Sequence, residues 1–416
     1  MSIVLETPQP LMAANNYNWV GIAPTASFAA LSSYYVRFDV YQYPSSIHTT
    51  PLFTATKNTY SGTYQGNAFY DCNDVLYNYV TYDLNPLGAT GFTNSTNSIF
   101  QYQVYYTEMS GSTILNGPTL ITGATTFIFN AALDIVEYNN WNYTDYLLMN
   151  GTTGCSFLTN WTSPFSVRLN DKASLAWIQA NQATTFHTNV YCDVIDYSGG
   201  THTYNSSSTV DTVGFYFFGT GYYEVDNYTW AGGHTSILTS NKAQSYAIYL
   251  IQDGIQVTDK MIYNIDYLCN TIQDIELVWL NRKGGWDFYT FYREEHEFLN
   301  STKTSFVENN FSYQSTAGGK KASMISPTQN RGETILRNNI NKSYHVKSKL
   351  LSNTMFNNIR ELFMTTEAYT WINGYLYPII IDTDKQEIFN NYNRVGDRPF
   401  YEFDFHLAVN ETTMRN

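Results

Sequence analysis

A chain of 416 residues with 43% hydrophobic content has ample material for packed cores, and its formal charge of −13 leaves no basic face for nucleic acid as the main partner. Charged residues are only 14% while aromatic residues reach 17%, with 37 Tyr and 25 Phe, so disorder is excluded and strands are favoured over helices. The amino-terminal sequence MSIVLETPQPLMAANNYNW has neither a basic n-region nor a long apolar h-region, and no segment approaches the length of a bilayer span; the expectation is a protein without signal peptide or membrane insertion.

Four cysteines, Cys72, Cys155, Cys192 and Cys269, form no C-x-x-C pair and predict buried free thiols rather than a zinc site or a disulfide framework. Sequons such as Asn142, Asn160 and Asn227 follow from the abundance of Asn, Ser and Thr.

In chain order, YYVRFDVYQY (34–43) alternates as a half-buried strand with Val36, Phe38 and Val40 on one face and Arg37 and Asp39 on the other. Further strands are predicted at 51–56, 98–108 and 125–130, with a short helix in AFYDCNDVLYNYVTYD capped by Asp71 or Asn73. These elements predict a β-sandwich over 1–130. Residues 131–163 lose alternation but carry Trp141, Tyr146, Leu147 and Leu148, and are read as an ordered connector. Strands are then predicted at 165–169, 175–179, 188–197, 214–218, 222–225, 245–252, 260–266 and 275–280, a second sandwich over 164–300.

The stretch 301–350 holds the basic cluster Lys320, Lys321, Arg331, Arg337, Lys342, Lys347 and Lys349, and is read as an extended basic arm, solvated or reaching across to an acidic partner surface. Residues 351–416 predict a small α+β module: an amphipathic helix in LSNTMFNNIRELFMT capped by Ser352 or Asn353, a strand YLYPIIID that Pro378 places at an edge or bulge, and the alternating strand FYEFDFHLAV. The predicted class is mostly β: tandem β-sandwich domains with a small C-terminal α+β module.

No phosphate-loop, dinucleotide, nucleophile-elbow or H-E-x-x-H pattern is present, and the prediction is a protein with no catalytic residues, no cofactor and no metal. Glu295, His296 and Glu297 are the only ligand-type residues at short spacing around a histidine, and in a strand His296 points away from the two carboxylates. Carboxylate pairs Asp382/Asp384 and Glu402/Asp404 fit an acid and base on paper, yet the second pair simply alternates with Phe403 and Phe405.

The most distinctive segment is ELVWLNRKGGWDFYTFYRE (276–294), two aromatic-rich runs around a Gly-Gly turn. The glycines suit a tight hairpin or bulge with positive φ. Arg282 and Lys283 beside Trp279 and Trp286 could stack cation on ring, and an exposed Trp at the tip would anchor a partner. Two readings stay open: Trp279, Arg282, Lys283, Gly284, Gly285 and Trp286 stabilise a hairpin, or they join Lys320, Lys321, Arg331 and Arg337 as assembly contacts.

The blocks VWLNRKGGWDFYTF, YVRFDVY, AFYDCNDVLYNYVTYD, FIFNAALDIVEYNNWNYTDYLL and CSFLTNW, with the late helix and YPIIID, resemble a family of virion structural proteins from tailed phages infecting Bacteroidota. The resemblance implies a non-enzymatic tail or tail-tip (baseplate-like) subunit that assembles in the host cytoplasm into the virion, with copies of itself and other virion proteins as partners. It carries no catalytic residues over, and the basic arm has no match in it. The rival is a carbohydrate-binding or carbohydrate-cleaving adsorption protein, in which Trp141, Trp161, Trp230, Trp279 and Trp286 stack on a host surface glycan.

Overall fold

In the computed structural model the described residues are 2–408 apart from 32, 44–49, 58–66, 122–125, 150, 152, 181–186, 268–273, 308–310, 317–318, 325–332 and 383–399. Strand accounts for 51% and helix for 14%, so the mostly β expectation holds. The chain forms two compact units: Met1–Cys269 with Val278–Phe288 and Asn357–Thr366, and Asn270–Leu277 with Tyr289–Phe356 and Glu367–Asn416. This division departs from the predicted five-part layout.

In the first unit, strands Ile3–Glu6, Trp19–Ala23 and Ala68–Asp71 make a three-stranded sheet. Beside it lies a six-stranded sheet containing Leu11–Ala13, Thr126–Phe129, Ile99–Ser110, Tyr34–Gln42 and Phe53–Lys57, with Thr113–Leu120 paired to Ile99–Ser110. The two pack through aromatic rings: Phe38 and Phe53 stack on Tyr70 at 5.8 and 6.1 Å. Val36, Phe38 and Val40 are buried as their alternation requires, but Asp39 on the opposite face is buried as well, paired with Arg37 at 3.0 Å and accepting from Thr54 Oγ1 at 2.7 Å. The predicted helix appears as Asn73–Leu76, and the Asp71 carboxylate accepts from the Asn73 and Asn18 amides at 3.1 and 2.9 Å.

A four-stranded sheet runs Leu147–Leu148, Ser174–Gln179, Gly214–Gly219, Phe92–Asn94. Its last strand comes from the segment predicted to form an independent first domain, and Phe92 sets its ring edge-on to Trp177 and Phe218 at 6.0 and 5.2 Å. A second six-stranded sheet contains Phe165–Arg168, Met261–Asp266, Ala243–Gln252, Thr188–Asp196 and Thr201–Asn205, with Ile255–Gln256 on Ala243–Gln252. Tyr246 and Tyr263, their rings parallel at 4.8 Å, hydrogen-bond to the carbonyl and hydroxyl of Thr220 at the end of the four-stranded sheet.

The predicted strand 222–225 is instead a helix, Tyr222–Asn227. Tyr223 is 50% exposed and Val225 is 0% exposed, an arrangement that residues two apart on one strand face cannot give and a helical turn can. Within the stretch 131–163 the described residues form a helix Ile135–Asn139 closed by a capping box between Asp134 and Glu137, and bury Trp141, Leu147 and Leu148.

The second unit centres on a closed barrel in the order Asp274–Leu280, Trp286–Val307, Glu333–Lys347, Glu402–Leu407, Tyr375–Ile381, Ala368–Ile372. Among its described residues the stretch read as an extended arm is largely strand: Glu333–Lys347 is a barrel strand, and Phe311–Thr316 pairs antiparallel with Gly319–Met324. Nor do the last strands stand apart as a module, since Glu402–Leu407 bonds to Glu333–Lys347. Pro378 sits in a strand flanked on both sides, pairing with Tyr369, rather than at an edge. Phe291, Phe403 and Phe405 fill the interior, while Glu402, Asp404, His345 and Lys347 form an outward ladder with His345 Nδ1 2.6 Å from Asp404 and Lys347 2.9 Å from Glu402. The predicted C-terminal helix appears as Asn353–Ile359 followed by a 3-10 turn Arg360–Phe363, with the Ser352 hydroxyl capping Met355 N–H at 3.2 Å.

Candidate functional site

The Gly-Gly segment is a turn in the interior of the first unit. Asn281 closes it: its backbone N–H donates to the Gly285 carbonyl at 2.9 Å, and its side-chain oxygen accepts from the Lys283 and Gly285 amides at 2.9 and 3.0 Å. Gly284 takes φ +82°, and a Cβ there would lie 2.2 Å from the Asn130 carbonyl oxygen. A Cβ on Gly285 would lie 2.1 Å from the Leu158 carbonyl oxygen. Both glycines are required by close backbone approach, and only the first by its φ.

Three parts of the chain converge on this turn. Just past strand Thr126–Phe129 the Ala132 amide donates to the Arg282 carbonyl at 2.8 Å, and in the loop before strand Phe92–Asn94 the Asp83 carbonyl accepts from the Trp286 indole at 3.1 Å. The connector presents the Leu158 carbonyl to Asn281 Nδ2 at 3.0 Å, the Thr159 carbonyl to Lys283 Nζ at 3.4 Å, and the Tyr146 ring 5.2 Å under the same ammonium. Segment 357–366 supplies Glu361, whose carboxylate accepts from Asn160 Nδ2 and, at 3.5 Å, from the Arg282 amide, and Thr365, whose hydroxyl donates to the Leu280 carbonyl at 2.8 Å. Arg282 pairs with Asp134 at 3.1 Å and sets its other nitrogen 3.0 Å from Met364 Sδ.

The expected cation-on-Trp stacking is absent from these contacts: Lys283 lies over Tyr146, and Arg282 turns to Asp134. Trp279 and Trp286 are 0% and 2% exposed, so neither is a tip anchor. Their rings are core because the loop is folded inward over Asn130 and Leu158. Lys320 and Lys321 lie in the Gly319–Met324 strand and Arg337 in Glu333–Lys347, while Arg331, like Cys269 and Asp384, lies outside the described residues.

Two acids were missed by sequence reading. Asp287 is 1% exposed; its Oδ1 accepts from Thr159 Oγ1 at 2.6 Å, and Oδ2 receives no hydrogen bond of normal geometry. Burial first, and the Glu361 charge second, push its carboxyl up to about 7, against the lowering influence of Thr159, Asn281 and Lys283. Burial likewise raises Glu361, opposed by its bonds to the Arg282 amide and Asn160. A cleft of about 370 Å³ opens beside them, with Asn15, Asn130, Arg282, Glu361, Met364 and Thr365 in its wall. Glu361 thus lines the cleft, whereas Asp287 is buried away from its wall.

No protein-family model matches the chain, and no curated protein matches it. Among the described residues no group of three or more His, Cys, Asp or Glu is placed to hold a metal ion, and no helix is long and apolar enough to cross a membrane. Cys72, Cys155 and Cys192 are free and buried.

Proposed function

We propose that this protein is a non-enzymatic structural subunit of a tailed-phage virion, placed in the tail or tail tip and assembling with copies of itself and with other virion proteins. The observation that carries the assembly part is the edge strand Ile3–Glu6. Among the described residues it bonds only to Trp19–Ala23, all four of its residues are exposed, and Ile3 and Leu5 are 63% and 45% exposed. An unpaired row of backbone groups with apolar side chains is a liability on a solitary protein and a contact surface on a subunit. The inward-facing Asn281–Asp287 turn supports the same reading, since its charges and glycines serve internal closure. Placement in a phage rests on the sequence resemblance.

The finer architecture we infer for the first unit is two β-sandwiches, one held by Phe38, Phe53 and Tyr70 and the other by Thr220 with Tyr246 and Tyr263. They share chain through the strand Phe92–Asn94.

The sugar-binding alternative loses the surface first assigned to it, because Trp141, Trp161, Trp230, Trp279 and Trp286 are all buried. One exposed aromatic pair keeps it in view: Tyr17 and Trp19, stacked at 5.9 Å and 61% and 41% exposed. The test is the mass of the purified protein in solution together with electron microscopy of particles carrying a label on it. Discrete oligomers, lost when Leu5 is replaced by Asp, and label confined to the tail are expected. A stable monomer absent from particles, or glycan binding abolished by Trp19→Ala, would sink the structural reading.

A further inference from the structure

The strands Trp286–Val307 and Glu333–Lys347 run on past the barrel that they help to close. On one flank, Glu402–Leu407 pairs only with Ser343–Lys347; on the other, Asp274–Leu280 has only seven residues to lay beside Trp286–Val307. What is left, Ser301–Val307 against Glu333–Ile340, is a two-stranded ribbon with no further strand beside it among the described residues. All six residues of Ser301–Phe306 are exposed, and because successive strand side chains point to opposite faces, both faces of the ribbon are bare. Phe306, Ile335 and Leu336 are 42%, 43% and 70% exposed. Two strands without a core are marginal in water, so this ribbon calls for a strand from elsewhere. Its charge points to the source. The sequences of Ser301–Val307, Gly319–Met324 and Glu333–Lys342 hold Lys303, Lys320, Lys321, Arg337 and Lys342 against the single acid Glu333, in a chain of formal charge −13. A basic ribbon on an acidic chain is drawn to another copy of that chain. The matching gap is the edge strand Ile3–Glu6, whose four residues are exposed and apolar but for Glu6. Two such edges set against each other would bring Glu6 toward its own copy and leave the ribbon bare.

We propose that the ribbon docks on a second copy of this chain: the exposed run Ser301–Phe306 adds alongside Ile3–Glu6 of the next molecule and extends the sheet of Trp19–Ala23 and Ala68–Asp71. Backbone hydrogen bonds between the two free edges supply the strength of the contact. Phe306 meets the apolar side chains of Ile3–Glu6, and Lys303 complements Glu6. Donor and acceptor are different surfaces, so each docked copy offers a fresh edge and the contact propagates into a ring or a fibre. This docking presupposes the self-assembly proposed above and names the two surfaces that make it.

Sedimentation of the full-length protein and of variants at exposed sites tests it, with circular dichroism showing that each is folded. The wild type is expected to form discrete oligomers, and the double variant Lys303→Glu/Phe306→Asp and the single variant Leu5→Asp to be monomers when alone. Mixed in equal amounts, the two variants are expected to give a heterodimer and nothing larger. One junction survives in that mixture, between the intact ribbon of the Leu5→Asp copy and the intact edge of the other. Should the double variant fail to fold, Lys303→Glu alone changes one exposed charge and is expected to weaken association several-fold; an unchanged affinity would overturn the docking. Oligomers that persist in the double variant while Leu5→Asp abolishes them would overturn the ribbon contact and leave self-assembly standing. Two monomeric variants that do not combine would overturn the pairing of these two strands. A monomeric wild type would overturn the docking and self-assembly together.

Discussion

Gly285 and Asp287 are two residues apart and show two kinds of necessity. At Gly285 the constraint is steric: any side chain meets the Leu158 carbonyl, and backbone cannot move aside as a flexible side chain can. Gly285→Ala is expected to cost about 2–3 kcal/mol, read as a lower urea midpoint at unchanged slope. At Asp287 the constraint is electrostatic. Its carboxyl rises from 3.8 to about 7 on folding, so the favourable contribution is complete below the unfolded value and is lost as pH climbs through the folded one. Asp287→Asn is expected to stabilise the protein at pH 8 by as much as about 4 kcal/mol, three pKa units at 1.4 each, and to leave it no more stable than wild type at pH 4. Urea unfolding at the two pH values checks both ends. The glycine pair was legible in the sequence as a turn, because small residues between aromatic runs leave few alternatives. The role of Asp287 was not: its partner Thr159 lies 128 positions away along the chain, and no short motif marks a buried acid.

Among the elements, strand Phe92–Asn94 ties together what the sequence divides. It lies among turn residues and is only three residues long, yet it completes the sheet of Gly214–Gly219. Phe92→Ala removes the ring contacts with Trp177 and Phe218 and is expected to cost about 2 kcal/mol, less than a fully buried Phe because the residue is half-buried. A single unfolding transition should persist for the first unit, and two separated transitions there would show that the shared strand does not couple the halves. The basic arm is the opposite case, a regular element that looks irregular. Glu333–Lys347 is rich in Asn, Lys and Arg, which depress strand propensity, but its backbone is paired with Trp286–Val307 and, over Ser343–Lys347, with Glu402–Leu407 as well. Deleting 318–350 is therefore expected to unfold the barrel, visible as lost near-ultraviolet circular dichroism, rather than to release a solvated tail.

For the whole molecule, the acids and the histidine with perturbed titration divide by sign. Burial raises Asp287, Glu361 and Glu224, the last to about 8, and the carboxylates of Asp404 and Glu402 raise His345 against its own desolvation. Each of these holds its proton more tightly when folded, so each contributes stability that fades as pH rises through its folded value. Glu108 and Asp193 are lowered, by hydrogen bonds from Thr25, Asn116 and Tyr34 in one case and from Lys260 and Thr203 in the other, in both against desolvation. Their contribution is lost only when pH falls through the carboxylate range. Thermal unfolding should accordingly show its highest midpoint near pH 5 and a steady fall toward pH 8.5. A midpoint that is flat or rises over that interval would show that the buried acids are hydrated in the folded chain.

What the sequence determined by itself was the β class, the position of most strands, the inward faces of Tyr34–Gln42 and the capped late helix, because those follow from period-two and period-3.6 burial within a dozen residues. Tertiary structure alone decided which strands share a sheet, that Glu333–Lys347 closes a barrel, that Trp141, Trp161, Trp230, Trp279 and Trp286 are core, and that Asp287 meets Thr159. These outcomes depend on backbone pairing and desolvation between residues more than a hundred positions apart in some cases, Thr159 and Asp287 by 128. Local periodicity carries no record of such distances, since the energy that selects them is gained only when the surfaces come together.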